Sequence, residues 1–193
     1  MSSVLKDLHR EHRKTARLLD LLERQAGRLD VCTEAELTQL KQLIRYFGLY
    51  RERVHHKKED IVFANLQRRC PDSVELIHNL QAEHTLLNDL MARFSTLIER
   101  VGSDTLVDQQ IIQVEVNEFV TISRAHMTRE ELNLFRLAAD ELNEQDWLQI
   151  SREISCQVDT VALQELAREG GQLYQDIVAF DSLFGTESDG LLH

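Results

Sequence analysis

Apolar residues recur along this chain at steps of three and four, the spacing that keeps one face of a helix against a core. Leu5, Leu8, Leu19 and Leu22 form a first stripe, and Leu37, Leu40, Ile44, Phe47, Val62 and Leu66 a second. Ile77, Leu80, Leu87, Met91, Phe94 and Ile98 form the third, and Ile112, Val116, Phe119, Ile122 and Leu137 the fourth. Trp147, Ile150, Ile154, Val158, Val161, Leu163, Leu166, Leu173, Ile177 and Phe180 give two shorter helices a face to bury.

Helix breakers divide these stripes cleanly. Only 7 glycines and 1 proline occur, too few for a sheet protein with many turns. A first helix is predicted from Ser3 to about Gln25, ending at Gly27. A second opens at Thr33, with Glu36 at capping-box spacing, and meets no stop before Cys70-Pro71. Asp72 or Ser73 is a candidate cap for a third, which runs to about Arg100. Ser103 or Asp104 is a candidate cap for a fourth, which runs to about Glu141. Residues 143–158 and 160–182 are predicted as two further helices. The expected fold is all-α: an up-down-up-down four-helix bundle over residues 1–142 and a C-terminal helical extension over 143–185 packed on it. Residues 186–193 have no apolar spacing and are expected to be a frayed tail.

Ionisable residues interrupt each of the four main stripes. His12 stands between Leu8 and Leu19, and His55 and Glu59 between Phe47 and Val62. His84 stands between Leu80 and Leu87, and His126 and Glu130 between Ile122 and Leu137. A single histidine in such a stripe is ordinarily a hydrogen-bonded core residue, and a single Glu at helical spacing is ordinarily solvated. Four interruptions on four consecutive helices need another account, because a buried carboxylate is costly without compensation. Helix rise puts the residues at one level. From the turn near Pro71, His55 and Glu59 lie about 12 to 16 residues back and His84 about 13 forward. From the turn near Ser103, His84 lies about 19 back, with His126 and Glu130 about 23 to 27 forward. His12 fits less well, by a turn or two, and the first loop must absorb the difference. The i, i+4 spacing of His55 with Glu59 and of His126 with Glu130 stacks both side chains on one helix face, within reach of a common cation. Imidazole with carboxylate suits iron, manganese or zinc, and four imidazoles with two carboxylates suit two ions better than one.

Composition narrows the partners. The chain carries 22 Lys plus Arg against 33 Asp plus Glu, a formal net charge of -11. That disfavours counterion-driven binding to nucleic acid or to an anionic membrane, and neither is the expected role. No apolar run approaches the roughly 20 residues of a membrane span. The N-terminus meets charge too early for a secretory signal, and three dispersed cysteines fit neither a disulfide framework nor a thiolate zinc site. A cytoplasmic protein with reduced thiols is expected.

With these residues in hand, the chain resembles the hemerythrin-like (HHE cation-binding) family. The segment His55-His56-Lys57-Lys58-Glu59-Asp60-Ile61-Val62-Phe63 resembles that family's helix-two motif. His126-Met127-Thr128-Arg129-Glu130-Glu131-Leu132-Asn133-Leu134-Phe135 resembles the helix-four motif more closely, and Glu11-His12 and Glu83-His84 resemble its acid-histidine pairs on helices one and three. The resemblance covers roughly residues 3 to 142. It implies a non-haem di-iron centre, with His12, His55, His84 and His126 as terminal ligands and Glu59 and Glu130 as bridging carboxylates. It also implies a small ligand such as O2, NO or peroxide. The oxygen carriers of the family have a second histidine four residues after the first on helix three. Here Asn88 stands there, a poor iron ligand, so a coordination position is expected to be open or held by water. Their helix-four acid is an Asp five residues after the histidine, whereas Glu130 follows its histidine by four. The pattern is that of the four-His, two-Glu branch, which includes iron-sulfur-cluster repair proteins and iron or oxygen sensors. The repair proteins' N-terminal cysteine-containing domain is not expected here, since the chain opens directly on the first helix.

Several registers compete. His56 and Asp60 form another i, i+4 pair one residue round, and His9 lies one turn before His12; solvated surface is the expected place of His56 and His9. His78 and His193 are expected to be inert. Glu52-x-x-His55 has the spacing of ferritin-like di-iron bundles, but no second copy falls on a stripe. Tyr46 and Tyr50 could gate the site, with packing the expected role. The C-terminal helices either close one side of the bundle or make a homodimer contact. Three function classes follow: a di-iron protein that binds a small ligand for sensing, storage or stress response; a di-iron oxidase, peroxidase-like or repair-like enzyme; and a metal-free helical interaction module.

Overall fold

The Ser2 hydroxyl accepts the Leu5 amide hydrogen and opens α1 (Ser3–Ala26). The computed structural model describes residues 2–28, 33–101, 109–158 and 161–184. Most of the predicted loop between Gly27 and Thr33, the caps Ser103 and Asp104, and the tail lie outside them. Thr33 caps α2 (Glu34–Arg45) in the predicted capping box, its hydroxyl taking the Glu36 amide while the Glu36 carboxylate takes the Thr33 amide. Such a cap is typically worth about 1 kcal/mol. The helix then continues without a break to Arg69, as read from the sequence, but not as a uniform α-helix. Residues Tyr46–His55 form a π-helical segment, π1, before α3 (His56–Arg69) resumes the tighter winding.

Pro71 ends this rod, and a 3-10 turn over Pro71–Ser73 leads into α4 (Val74–Val101). Neither Asp72 nor Ser73 caps it in the predicted way, because both are wound into the turn and the Ser73 hydroxyl donates to the Cys70 carbonyl at 2.6 Å. The fourth rod comprises α5 (Gln109–Arg129), a second π segment, π2 (Glu130–Leu134), and α6 (Phe135–Glu141). Asn143 accepts the amides of Gln145 and Asp146 to start α7 (Glu144–Val158), and α8 (Val161–Phe184) follows. The described residues thus make six helical rods and no strand. None of these helices is long and apolar enough to cross a membrane.

Packing sorts the rods around a common interior. The α5 helix packs on α1 and α4, and α4 also meets π1 and α3. Buried side chains fall into two apolar clusters. One holds Leu18, Leu22, Leu43, Phe47, Leu87, Phe94, Val116 and Phe119; the other holds Leu5, Leu8, Val62, Leu66, Leu80, Leu134 and Ala138. Between them, on every one of the four rods, stand the interrupting polar residues. Complete burial of each large apolar side chain contributes roughly 1.5–3 kcal/mol, so the two clusters clamp the polar layer from both ends.

The two C-terminal helices close one side. The α7 helix lies on α3, tied there by a paired Arg69–Asp146 contact at 2.9 and 3.0 Å. The α8 helix lies across π1 and α2 and buries Leu173 and Ile177 in the first cluster. It carries Gly170 directly over the ring of Tyr50. A Cβ at Gly170 would come within 2.3 Å of Tyr50 Cδ2 and 2.8 Å of Tyr50 Cβ, so the near end of the side chain would have to move, not a flexible tip. Gly170→Ala is therefore expected to destabilise the chain by about 1–3 kcal/mol, despite the higher helix propensity of alanine. Urea unfolding of the two proteins checks this; a stabilised variant would refute the close packing of α8.

Candidate metal centre

Glu59 and Glu130 are fully buried, each at 0% exposure. They stand at the ends of the two π segments: π1 finishes at His55, one turn before Glu59, and π2 begins at Glu130. A π turn takes in one more residue than an α turn and so rotates every later side chain relative to an uninterrupted helix. Such turns are usually retained where packing at a site requires them.

Four imidazoles meet these carboxylates. His12 Nε2 lies 3.2 Å from Glu59 Oε1 and 3.4 Å from Glu130 Oε2. His55 Nε2 is 3.0 Å from Glu59 Oε1, and His126 Nε2 is 3.2 Å from Glu130 Oε1. His84 Nε2 reaches Glu59 Oε2 at 3.5 Å and Glu130 Oε1 at 3.7 Å. The six residues singled out from the sequence therefore share one buried layer, and the register deficit read for His12 does not keep it out.

Outer carboxylates set the rings. His55 Nδ1 donates to Glu11 at 2.7 Å, His126 Nδ1 to Glu83 at 2.8 Å, and His12 Nδ1 to Glu131 at 2.9 Å. An ionised carboxylate can only accept, so in each ring the Nδ1 carries the hydrogen and the Nε2 faces the centre. The outer acids are themselves held. Glu11 takes Lys58 Nζ at 2.5 Å and the Tyr50 hydroxyl at 3.4 Å, and Arg129 holds Glu83 at 2.6 Å. Although burial raises it, the Glu11 carboxyl is brought down to about 2 by His55 and Lys58.

The inner groups favour charge. Burial alone would strip the proton from His12, yet the neighbouring carboxylates of Glu130, Glu131 and Glu59 hold it well above the usual imidazole range. His55 is raised in the same way by Glu59 and Glu11, against burial, and His84 is raised to about 9 by Glu130 and Glu59. Burial pushes Glu59 and Glu130 up, but the surrounding imidazoles hold both well below the carboxylate range. The metal-free interior is thus a layer of imidazolium and carboxylate charge.

This arrangement fits a cation. Glu59 Oε2 and both oxygens of Glu130 accept no hydrogen bond although all are buried. His84 Nε2 and His126 Nε2 face each other at 3.0 Å, where at most one hydrogen fits between them. Convergent nitrogen lone pairs and unsatisfied carboxylate oxygens are what an imidazole–carboxylate metal site supplies. Two groupings have their donor atoms within 4.8 Å of one another: His12, His55 and Glu59, and His56, Glu59, His84 and His126.

Two expectations are corrected here. His56, read as solvated surface, is buried at 5% exposure, its ring stacked on His84 at 3.8 Å with 7° between planes. It points towards α4 while His55 points towards α1, so the adjacent histidines serve opposite sides of the layer. His9 is half-buried rather than solvated, pairing with Glu131 at 3.2 Å and meeting the Phe135 ring edge-on. Asp60 remains outside the layer, lining a cavity of about 230 Å³ with His56, Lys57, Gln81, His84, Thr85 and Asn88. Glu131 was not singled out as a partner of His12, although the doubled acids after His126 were its only sequence signal. Glu11 and Glu83 marked the neighbouring histidines in sequence, yet each serves a histidine on another rod, because consecutive residues diverge by about 100° around a helix. Tyr50 packs on Tyr46 at 5.3 Å, as expected, and its hydroxyl also donates to Glu11, a contact not read from the sequence.

An all-helical fold with a buried layer of imidazoles and carboxylates between two apolar cores has the donors to hold a cation. The sequence matches the family model described as the hemerythrin HHE cation-binding domain over residues 3–138, and the chain belongs to that family. No curated protein and no solved structure matched the sequence at a significant level.

Proposed function

We propose that this chain is a non-haem di-iron protein that binds O2, NO or peroxide for sensing, storage or stress response. In this reading the four main rods form an up-down-up-down bundle. His12 and His55 hold one ion, His84 and His126 the other, and Glu59 and Glu130 bridge them. One observation carries it: three oxygens of two completely buried carboxylates lack hydrogen bonds while facing the Nε2 atoms of four imidazoles. Manganese or zinc satisfies the same donors, so the choice of iron rests on the redox chemistry suited to a small oxygen or nitrogen ligand.

The chain's own groups prepare that site. Glu11, Glu83 and Glu131 hold three rings in one tautomer and orientation, raising their donor strength. Phe135 stacks on His12 at 5.4 Å and Phe63 on His84 at 6.1 Å, which limits water at the end of the layer nearer α6. The cavity of about 230 Å³ at His56, His84 and Asn88 gives a small molecule a way in from the α3–α4 side. That cavity also favours the second reading, turnover of peroxide or NO as an enzyme.

The test is metal content per chain, on protein produced with iron and purified without chelator. About two irons per chain is expected, with His126→Ala and Glu59→Ala each losing iron. Full iron content in both variants would remove the assignment. With iron bound, repeated consumption of peroxide or NO identifies an enzyme; a single stoichiometric event identifies a sensor or store.

A further inference from the structure

We propose that His56 is a fifth imidazole ligand, shared with His84 and His126 on one of the two ions. This rests on the metal reading above and adds a residue to it. His56 opens α3, immediately after π1, so the wider winding before it decides where it points. It is buried, and its donor atom lies within 4.8 Å of those of Glu59, His84 and His126. Its ring lies flat against His84, 3.8 Å between centroids, and edge-on to His126 at 6.2 Å. The χ2 torsion of histidine is soft, so the turn that aims both stacked rings at one ion is cheap.

The two half-sites then differ. His12, His55 and Glu59 form one, with two imidazoles. His56, His84 and His126 with Glu59 form the other, with three. The third imidazole comes from α3, beside the cavity that His56, His84 and Asn88 all line. The two ions are expected to bind with different affinities.

The experiment is a cobalt(II) titration of the metal-free full chain, followed by visible absorption, for the wild type, His56→Gln, His56→Gly and His84→Ala. Glutamine keeps much of the volume of the ring but is a poor ligand. Loss of an outer partner alone weakens metal binding about 10–100-fold, so loss of a ligand is expected to weaken one of the two ions by at least about 100-fold. The other ion stays within a few-fold. Added imidazole should restore the lost ion to His56→Gly, a rescue that a packing role does not give. If His84→Ala loses an ion while both His56 variants titrate and absorb like the wild type, His56 is not a ligand and the di-metal reading survives. If His84→Ala also binds two ions normally, the layer is not where the ions sit and the proposal falls with it; if the wild type does not take up two ions, the di-metal reading itself fails. Should the glycine variant not fold, the cobalt-loaded wild type decides. Five hyperfine-shifted, exchangeable imidazole N–H resonances support the proposal, and four overturn it.

Discussion

Removing the metal is expected to lower the melting temperature by about 8–16 °C for each ion lost near neutral pH. An ion present at roughly a thousand times its dissociation constant contributes about 4 kcal/mol to the folded state. For a chain of this length each kcal/mol corresponds to about 2–4 °C. The difference should depend on pH with a definite sign. In the metal-free chain the imidazoles of His12, His55 and His84 are raised above their ordinary value of 6.5, His84 to about 9. Their contribution to stability is therefore complete below about 6.5 and is lost as pH rises through the folded values. Glu59 and Glu130, held below 4.5, contribute above that value and lose their contribution as pH falls through the lower folded values. These five groups make the metal-free chain most stable between about 4.5 and 6.5, while His56, held well below 6.5 by burial and by Arg51, opposes them and costs stability as pH falls below 6.5. Metal binding has the opposite trend, because each ion must displace protons from these rings. The gap between loaded and metal-free melting temperatures should widen from pH 6 to pH 9, as calorimetry can show. Equal melting temperatures with and without metal at every pH would leave only a helical module with a polar interior.

Glu59→Ala is expected to be the most damaging single substitution in the layer. Glu59 lies in both groupings of donor atoms and contacts His12, His55 and His84. In the proposed two-ion centre its loss would remove a donor from both ions. In the metal-free chain it leaves buried imidazolium charge facing an empty space, and breaking such a pair costs about 3–5 kcal/mol. The histidines can escape part of this by losing protons. Denaturation should accordingly show the larger cost at pH 6 and a smaller one at pH 9. Glu131→Ala is the useful contrast, since Glu131 is 36% exposed and water can replace it. An equal cost for the two variants would mean that burial is not what makes Glu59 matter.

The helices and their burial were legible because stripes at steps of three and four report a face directly. Every residue of the third stripe, from Ile77 to Ile98, is buried. The level of the polar layer was legible for the same reason, since rise per residue is constant along a rod. What the stripes could not show was winding. Tyr46–His55 and Glu130–Leu134 read as ordinary helix, because a π turn has no composition of its own and is chosen by packing. Hence His56 was placed on the wrong side. Outer partners were also hidden: that Glu11 serves His55 rather than His12 depends on which rods become neighbours, and no spacing within one helix encodes that.

Tyr50 carries a longer consequence. Its ring lies under Gly170 of α8, and its hydroxyl meets Glu11, which orients His55. The helix that shapes this contact lies beyond residues 3–138, where the family match ends. Two relatives with the same six donors but unlike C-terminal helices would then hold Glu11 differently, and their bound ions would be expected to sit at different reduction potentials. Properties transferred between such relatives on a tally of donors alone would inherit the ions without their tuning.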